Sequence, residues 1–396
     1  MIRKFFYVLV VGVLLTFFSG CGGGDNEDNS IVKHPGDVVS LTKTATYDQD
    51  TMKQILDQMQ IPSQQVFGIE VFTLVYKTLD RFGNLINASG LLAVPMGIDF
   101  PTPLVSDQHG TVFNDEEIPS RNPLNASVIL FTALRGYMLA MPDYIGYGAS
   151  SDKVHPYLIE EPSARAVVDM LRAVKRISSI KNFPLGDKLF LSGYSEGGYV
   201  TMAALKKIQE DLFDEFRVTA AAPMAGPYDL KQTADVFLLQ GMLSYSPFVA
   251  YLVYAYDEYY GWNRLKKIVN EPYADKLPAL FDGTKSSDYI YNALTNVTNE
   301  LFRPDFLASY FAGGEEYFKR ALVDNSPIDW TPRMPLRLIH CTDDPIVPFF
   351  NTQTAFDNFV QNGAKDVELV SLDGDDHVEC AGPAYLDAAS YFDSFR

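Results

Sequence analysis

The chain has 396 residues, of which 47% are hydrophobic and 21% are charged, so it can bury a large core as one enlarged domain or two ordinary ones. The formal net charge is −18, and no basic run follows the first few residues. Nucleic acid and anionic membrane surfaces are therefore not expected among its partners, and the oligomeric state stays open.

Residues 1–21 have the layout of an export signal. The pair Arg3-Lys4 is positive, and Phe5 to Phe18 is an apolar run too short to span a bilayer, which takes about 20 residues. The small residues that end at Cys21 resemble a bacterial lipobox, which implies lipidation of Cys21 and anchoring to the outer membrane of a Gram-negative bacterium. Membrane contact is expected through this anchor alone. The alternative is an ordinary cleaved signal with an incidental cysteine.

Residues 22–40 are expected to form a flexible acidic tether. The run GGGDNEDNS at 22–30 has nothing to bury. An acidic stretch directly after a lipidated cysteine also resembles the surface-export signal of some Gram-negative lipoproteins, which implies exposure at the cell surface. The folded domain is then expected to cover residues 41–396.

The apolar patterns of this domain predict strands that alternate with helices. The first two strands flank a turn and are expected to form an antiparallel hairpin. The later alternation predicts an α/β fold with a mostly parallel sheet and helices on both faces. The predicted strands are 66–76, 85–94, 103–107, 137–141, 189–191, 218–224, 336–340 and 367–372, and the predicted helices are 48–60, 163–180, 197 onward, 349–361 and 384–395.

Residues 229–333 interrupt this alternation. Their length is far beyond the usual connection of about 2–6 residues in such folds, and the segment reads as helices rich in tyrosine. We interpret it as a helical cap inserted over the carboxyl edge of the sheet, where ligands bind in this architecture. The alternative is a packed subdomain with no role at the site.

The stretch Gly193 to Gly197 reads Gly-Tyr-Ser-Glu-Gly, between a predicted strand and a predicted helix. A strand that turns abruptly into a helix needs small residues near the turn, because the backbones crowd there. A serine at the apex would be strained, with an exposed hydroxyl. Ser195 is therefore a candidate nucleophile, provided that the chain supplies a histidine and an acid.

A serine hydroxyl needs a histidine to remove its proton and a carboxylate to orient that histidine. In one known arrangement the chain order is nucleophile, acid, histidine. Of the five histidines, only His377 fits that order, in the loop predicted between the last strand and the last helix. His340 is set aside because it ends a strand before any candidate acid. The acid should follow that strand, where either Asp343 or Asp344 could serve.

Several stretches together resemble an α/β-hydrolase, close to the secretory lipase and carboxylesterase branch. They are G-Y-S-E-G-G, D-D-P-I-V-P, the loop histidine and RGYMLAMPDYIGYGAS from Arg135 to Ser150. The family's acid is usually the aspartate of the D-P-x-V-P pattern, which falls on Asp344 and favours it over Asp343. The resemblance covers roughly the whole mature domain, and the insertion is its least recognisable part. The chemistry expected of these three residues requires no cofactor.

Two backbone N–H groups should stabilise the oxyanion that develops during the reaction. Glu196 follows the candidate nucleophile and would supply one of them from the helix N-terminus. The second is expected from the loop after the third predicted strand, where the resemblance implies the amide of Gly110 or Thr111. The His109 imidazole is then expected to be structural, and Asp143 to cap its own turn.

Cys341 and Cys380 lie on the loops that would carry the acid and the histidine. In an oxidising compartment, two such cysteines on loops that must converge are candidates for a disulfide. If they were free thiols, Cys341 would be a small core residue.

Asp373, Asp375, Asp376 and Glu379 form an acidic cluster that could suggest calcium. The cluster lacks the spacing of a known calcium loop and is interpreted as a solvated acidic turn. No metal site is expected.

These features together predict a serine hydrolase that cleaves small-molecule carboxylic esters through Ser195, Asp344 and His377 and a covalent acyl-enzyme. A peptidase or an acyltransferase could use the same three residues. The rival from another class is a surface lipoprotein that binds a glycan or a lipid without chemistry. Such a protein is expected to have lost part of the triad, whereas here all three residues are present. The acyl group and the alcohol stay open.

Overall fold

The computed structural model describes residues 34–396. The predicted signal at 1–21 with Cys21, and residues 22–33 of the predicted tether, lie outside the described residues. Within the described part, no helix is long and apolar enough to cross a lipid bilayer.

A nine-stranded sheet forms the centre of the described chain. Its strand order is β1-β2-β3-β5-β4-β6-β7-β8-β9. The pairs β1–β2, β2–β3 and β3–β5 are antiparallel, and the other five pairs are parallel. The strands are β1 (Val38–Tyr47), β2 (Gly68–Leu79), β3 (Leu85–Met96), β4 (Thr102–Gln108), β5 (Met138–Pro142), β6 (Leu185–Tyr194), β7 (Val218–Met224), β8 (Leu336–Cys341) and β9 (Val367–Leu372). The mostly parallel sheet and the hairpin β2–β3 confirm the predicted α/β class.

The sheet begins earlier than the sequence predicted. Strand β1 starts at Val38 and pairs with β2, so residues 38–40 belong to the domain and not to the tether. The side chains of Val38 and Leu41 are partly buried against the core, which explains why the strand extends that far.

Helices cover both faces of the sheet. The helices are α1 (Gln49–Gln58), α2 (Glu160–Lys181), α3 (Glu196–Asp211), α4 (Leu230–Leu239), α5 (Ser246–Tyr260), α6 (Leu265–Ile268), α7 (Tyr273–Leu280), α8 (Ser287–Ala293), α9 (Thr298–Leu301), α10 (Pro304–Phe311), α11 (Glu316–Asp324), α12 (Phe350–Gln361) and α13 (His377–Asp393). Because successive side chains of a strand point to opposite faces, Leu189 and Leu191 of β6 join the core under α2, α3 and α12. Phe190, between them, joins the core under α1 and α13.

The last helix begins seven residues before its predicted start at 384. The Asp376 carboxylate accepts hydrogen bonds from the N–H groups of Val378 and Glu379, both at 2.8 Å, and so caps the helix. His377, predicted to lie in a loop, is therefore the first residue of α13. The acidic turn before it serves as a helix cap.

Residues 229–333 fold into the short helices α4 to α11, and their apolar side chains share one core with β6 and α3. The tyrosines of α5 do not form an open aromatic surface: Tyr251, Tyr254 and Tyr256 are buried. Tyr251 stacks on Phe281 of the same segment, with ring centroids 4.3 Å apart. These rings therefore stabilise the segment itself and leave other residues to face a ligand.

Candidate active site

Ser195 lies at the sharp turn between β6 and α3. Its φ of +61° is unusual for a residue with a side chain, and its N–H donates to the Met224 carbonyl at 3.0 Å. A Cβ at position 197 would lie 1.9 Å from the Gln108 carbonyl oxygen, and one at position 193 would lie 2.3 Å from the Gly197 carbonyl oxygen. Gly193 and Gly197 are therefore required by the close approach of three backbone segments.

A chain of two hydrogen bonds connects Ser195 to Asp344 through His377. The Ser195 Oγ lies 2.8 Å from Nε2 of His377, and Nδ1 of the same ring lies 2.5 Å from Oδ2 of Asp344. The three residues come from the turn after β6, the turn after β8 and the first position of α13. All three are buried, so water competes little for these bonds. The arrangement can move a proton from the serine hydroxyl to the imidazole.

Of the two aspartates that the sequence left open, the structure brings Asp344 to the histidine. The second oxygen of Asp344 accepts the N–H groups of Ile346 and Val347, both at 2.9 Å. Burial alone would raise the pKa of Asp344, but hydrogen bonds from His340 and His377 hold that pKa well below its usual range. Asp344 is therefore ionised. Asp343 is exposed, and its N–H donates to the Gly374 carbonyl at 3.2 Å.

The loop after β4 lies against the nucleophile. A Cβ at Gly110 would be 3.6 Å from the Ser195 Cβ, so the Gly110 backbone lies beside the serine. The Thr111 hydroxyl is hydrogen-bonded to the Tyr157 hydroxyl at 3.0 Å, which anchors the next residue of the loop. The N–H of Glu196, first in α3, has no acceptor within its own helix. Of the predicted oxyanion donors, Gly110 therefore lies beside Ser195, and Glu196 directly follows it at the start of α3.

His109 lies in the same loop and makes structural contacts. One ring nitrogen lies 2.8 Å from the Gly110 carbonyl and the other 3.3 Å from the Asp143 carbonyl, while the ring stacks on Tyr144. Burial lowers the pKa of His109. The His109 imidazole therefore stabilises the loop after β4 through these contacts.

The prediction that Asp143 caps its own turn is wrong. Its carboxylate accepts the Ser89 hydroxyl at 2.6 Å and the Ser120 N–H at 2.9 Å, so it joins β3 and the segment 119–121 to the end of β5. The partners are distant in sequence, and the local pattern could not reveal them.

The Glu196 side chain pairs with His155. Its Oε1 lies 2.7 Å from Nε2 of His155, and Nδ1 of that ring lies 2.7 Å from the Ile145 carbonyl. Both side chains are almost fully buried. Sequence analysis did not connect these two residues, because His155 precedes the nucleophile by 40 positions and belongs to no recognised pattern.

A second histidine, His340, contacts Asp344. Its Nε2 lies 3.2 Å from the same Oδ2 that His377 contacts, and its Nδ1 lies 2.6 Å from the Thr352 hydroxyl of α12. The sequence carried one signal for this contact: His340 stands four residues before Asp344 in the turn that returns from β8.

Cys341 and Cys380 form a disulfide, with an S–S distance of 2.01 Å. The bond joins the end of β8, three residues before Asp344, to the first turn of α13, three residues after His377. It therefore ties together the two segments that carry these side chains.

A cavity of about 890 Å³, counted with the solvent at its mouth, extends from Ser195 under the segment 229–333. The lining is mainly aliphatic and phenylalanine side chains, and its two tyrosines are Tyr157 and Tyr245, the residue directly before α5. Most of the lining comes from that segment, including Leu230, Ala234, Phe237, Leu238, Leu243, Phe248, Val249 and Leu252. The segment therefore forms a cap over the serine, and the arrangement can hold an apolar chain next to the nucleophile.

No group of three or more His, Cys, Asp or Glu side chains within residues 34–396 could hold a metal ion. In the predicted acidic cluster, Asp376 caps α13.

Known proteins resemble the chain over most of its length. A protein from Legionella pneumophila, described only provisionally as a hydrolase, shares 28% identity and superposes with a TM-score of 0.84 over 90% of this chain and 98% of its own. The rice cell wall degrading esterase LipA from Xanthomonas oryzae shares 26% identity, with a TM-score of 0.81 over 92% and 100% of the two chains. No curated protein matches significantly.

A more distant structure shares the fold alone. Lipase A from Candida antarctica, in its closed state, is 16% identical, with a TM-score of 0.68 over 91% of this chain and 82% of its own. The sequence model of the secretory lipases matches residues 124–384. That range includes the serine turn, the cap and both partner residues of Ser195. The chain thus belongs to the secretory lipase family and is an α/β-hydrolase that cleaves carboxylic esters.

Proposed function

We propose that Ser195, His377 and Asp344 are the catalytic triad of this ester hydrolase. His377 removes the Ser195 proton as the hydroxyl oxygen attacks the ester carbonyl, and it then delivers that proton to the departing alcohol. A water molecule, activated by the same imidazole, releases the acid from the acyl-enzyme. The observation that carries the proposal is the continuous hydrogen-bond chain from Ser195 Oγ to Asp344 Oδ2.

The oxyanion would be held by backbone amides. The Glu196 N–H at the start of α3 is one donor, and the amide of Gly110 or Thr111 is the other. The support is positional: Gly110 lies beside the Ser195 side chain, and Thr111 is fixed by its bond to Tyr157. Such donors act most strongly where water competes little, and Ser195 is buried.

The acyl group would occupy the apolar cavity under the cap. Burial of an aliphatic chain against Leu, Val and Phe side chains is favourable by about 0.8 kcal/mol per methylene group. A sugar ring would leave its hydroxyl groups without partners in such a lining. The cavity therefore favours esters of aliphatic acids, although a relative of known structure is named for degradation of the rice cell wall.

Hydrolysis of nitrophenyl esters from acetate to palmitate tests this function. The Ser195→Ala protein should lose roughly 10⁴-fold or more of the rate on every ester. Ser244→Ala is the matched control, because Ser244 also lines the cavity but lies outside the hydrogen-bond chain, and it should keep its rate within a few fold. If the Ser195→Ala protein were as active as Ser244→Ala, Ser195 would not be the nucleophile.

We also propose that the protein is exported and anchored through a lipid on Cys21. The support is the signal layout and the small residues before Cys21, together with membership in a family of secretory enzymes. Cells that express the full chain should incorporate labelled palmitate into the protein and retain it in the membrane fraction. The Cys21→Ser chain should show neither label nor retention; equal labelling of both would contradict the anchor.

A further inference from the structure

Asp344 accepts four hydrogen bonds, and only one of them comes from the proposed base. Ile346 and Val347 donate to Oδ1 from the backbone, and His377 and His340 both lie within hydrogen-bond distance of Oδ2. His340 is completely buried near the end of β8, and its two ring nitrogens face Asp344 and Thr352. The proposed mechanism does not use it.

The chemistry of its neighbours fixes the proton positions on His340. The Asp344 carboxylate is ionised and can only accept, so Nε2 of His340 must carry a hydrogen. In a neutral imidazole the other nitrogen then has a free lone pair, and this lone pair accepts the Thr352 hydroxyl at 2.6 Å. Asp344 after β8 thus selects the tautomer of the neutral ring, and the Thr352 hydroxyl on α12 complements it.

We propose that His340 is a positioning residue for the triad, whose Nε2–H shares Oδ2 of Asp344 with His377 and thereby sets the pH at which His377 takes up a proton. The proposal rests on the proposed catalytic roles of Ser195, His377 and Asp344. A second donor on Oδ2 draws negative charge away from the bond to His377. The imidazolium form of His377 is then stabilised less than it would be by a carboxylate with no second donor.

The other ionisable groups near His377 are the same in wild type and in variants at position 340. The Tyr194 hydroxyl donates to the His377 carbonyl at 2.7 Å, and burial raises the pKa of Tyr194 well above its usual range, so it stays neutral. Asp376 caps α13, and Glu379 lies in its first turn. A difference between variants at position 340 therefore reports the bond to Asp344.

Two amide substitutions distinguish the effect of losing the hydrogen bond to Asp344 from the effect of replacing a buried polar ring. In His340→Gln, the side-chain amide nitrogen extends as far as Nε2 and can still donate to Asp344. In His340→Asn, the shorter amide reaches only as far as Nδ1, so it keeps the contact with Thr352 and loses the one with Asp344. The acid limb of the kcat/KM profile should rise by about 0.5 to 1 pH unit in His340→Asn and stay in place in His340→Gln.

The same shift should appear without any substrate. In the purified protein labelled with ¹⁵N-histidine, the imidazole of His377 should titrate at higher pH in His340→Asn than in wild type or His340→Gln. In wild type, the ¹⁵N spectrum should show His340 with hydrogen on Nε2 and none on Nδ1. That last measurement needs no variant, so it tests the proposal even if His340→Asn does not fold.

Three results would overturn the proposal: hydrogen on Nδ1 alone of His340, identical titration of His377 in all three proteins, or equal shifts in both variants. None of these depends on ester turnover. Loss of the proposed function would instead show as an active Ser195→Ala protein, so the two failures are distinguishable.

Discussion

Nε2 of His155 lies 2.7 Å from Oε1 of Glu196, the residue that follows the proposed nucleophile. The other nitrogen of the ring faces the Ile145 carbonyl, which can only accept, and therefore carries a hydrogen. One more proton must lie between Nε2 and Oε1. The pair is consequently an imidazolium with a carboxylate or an imidazole with a carboxylic acid, and it is neutral overall in both forms.

This pairing predicts unequal costs for two substitutions. His155→Leu leaves a buried carboxyl group without its partner and should lower the free energy of unfolding by about 3–5 kcal/mol. Glu196→Gln should cost less than about 1.5 kcal/mol, because the amide N–H can donate to Nε2 of a neutral imidazole. Urea unfolding of the two variants checks this order. Equal losses would show that the pair adds nothing beyond packing.

The disulfide should contribute to stability and to activity together. Closing a loop with a sequence separation of 39 removes entropy from the unfolded chain worth roughly 4 kcal/mol. We expect the double variant Cys341→Ala, Cys380→Ala to melt at lower temperature and to hydrolyse esters more slowly, because the segments of Asp344 and His377 lose their covalent tie. Melting curves with and without reductant test the first part. A melting temperature that does not respond to reductant or to the double variant would contradict it.

Asp107 should make stability depend on pH. Burial raises the pKa of this carboxyl to about 6, although the Ser127, Ser192 and Tyr385 hydroxyls oppose the rise. Because the folded-state pKa exceeds the unfolded value of about 3.9, the folded state holds the proton more tightly. The contribution of Asp107 to the free energy of unfolding is therefore most favourable below about pH 4, declines between about pH 4 and 6, and stays constant above pH 6.

Asp107→Asn isolates this effect. The free energy of unfolding of the variant relative to wild type should rise by up to roughly 3 kcal/mol between pH 4 and pH 7, since the amide has no proton to lose. Urea unfolding at both pH values provides the comparison. A difference between the two proteins that is independent of pH would mean that Asp107 does not titrate in this range.

The cavity predicts which esters the enzyme prefers. Ala234 on α4 lines the cavity, so Ala234→Trp should fill part of it and lower kcat/KM for long-chain esters by roughly tenfold or more. Acetate esters need little of this space and should react as before. Leu239→Trp, on the exposed side of the same helix, is the control and should change neither. If Ala234→Trp lowered kcat/KM equally for esters of all acyl lengths, the acyl chain would not occupy this cavity.

The parts of the fold with strong local signals were predictable. The turn of Ser195 depends on glycines within two residues of it, and strands β7 and β9 have the predicted bounds because their apolar runs end at clear breaks. Strand β1 was missed because its polar, Thr-rich alternation resembles the preceding tether. The start of α13 was missed because Pro383 lies inside the helix and the capping Asp376 lies in an acidic run.

Contacts between segments that are distant in the chain could not be predicted from sequence patterns. The pair of His155 and Glu196, and the ties that Asp143 makes to Ser89 and Ser120, exist only once the sheet has formed. The contact of His340 is closer in sequence, but it depends on a turn that brings Asp344 back beside the end of β8. The sequence showed that residues 229–333 are rich in tyrosine, but composition does not tell which side of a helix is buried, as Tyr251, Tyr254 and Tyr256 are.

Transfer of the acyl group to Ser195 is the step on which the proposed mechanism depends. Rapid quenching of the reaction with nitrophenyl butyrate, followed by proteolysis and mass spectrometry, measures this directly. We predict a burst of nitrophenol and a butyryl adduct on the peptide that contains Ser195, with neither in Ser195→Ala. An adduct on another residue, or full turnover by Ser195→Ala, would show that Ser195 is not the nucleophile.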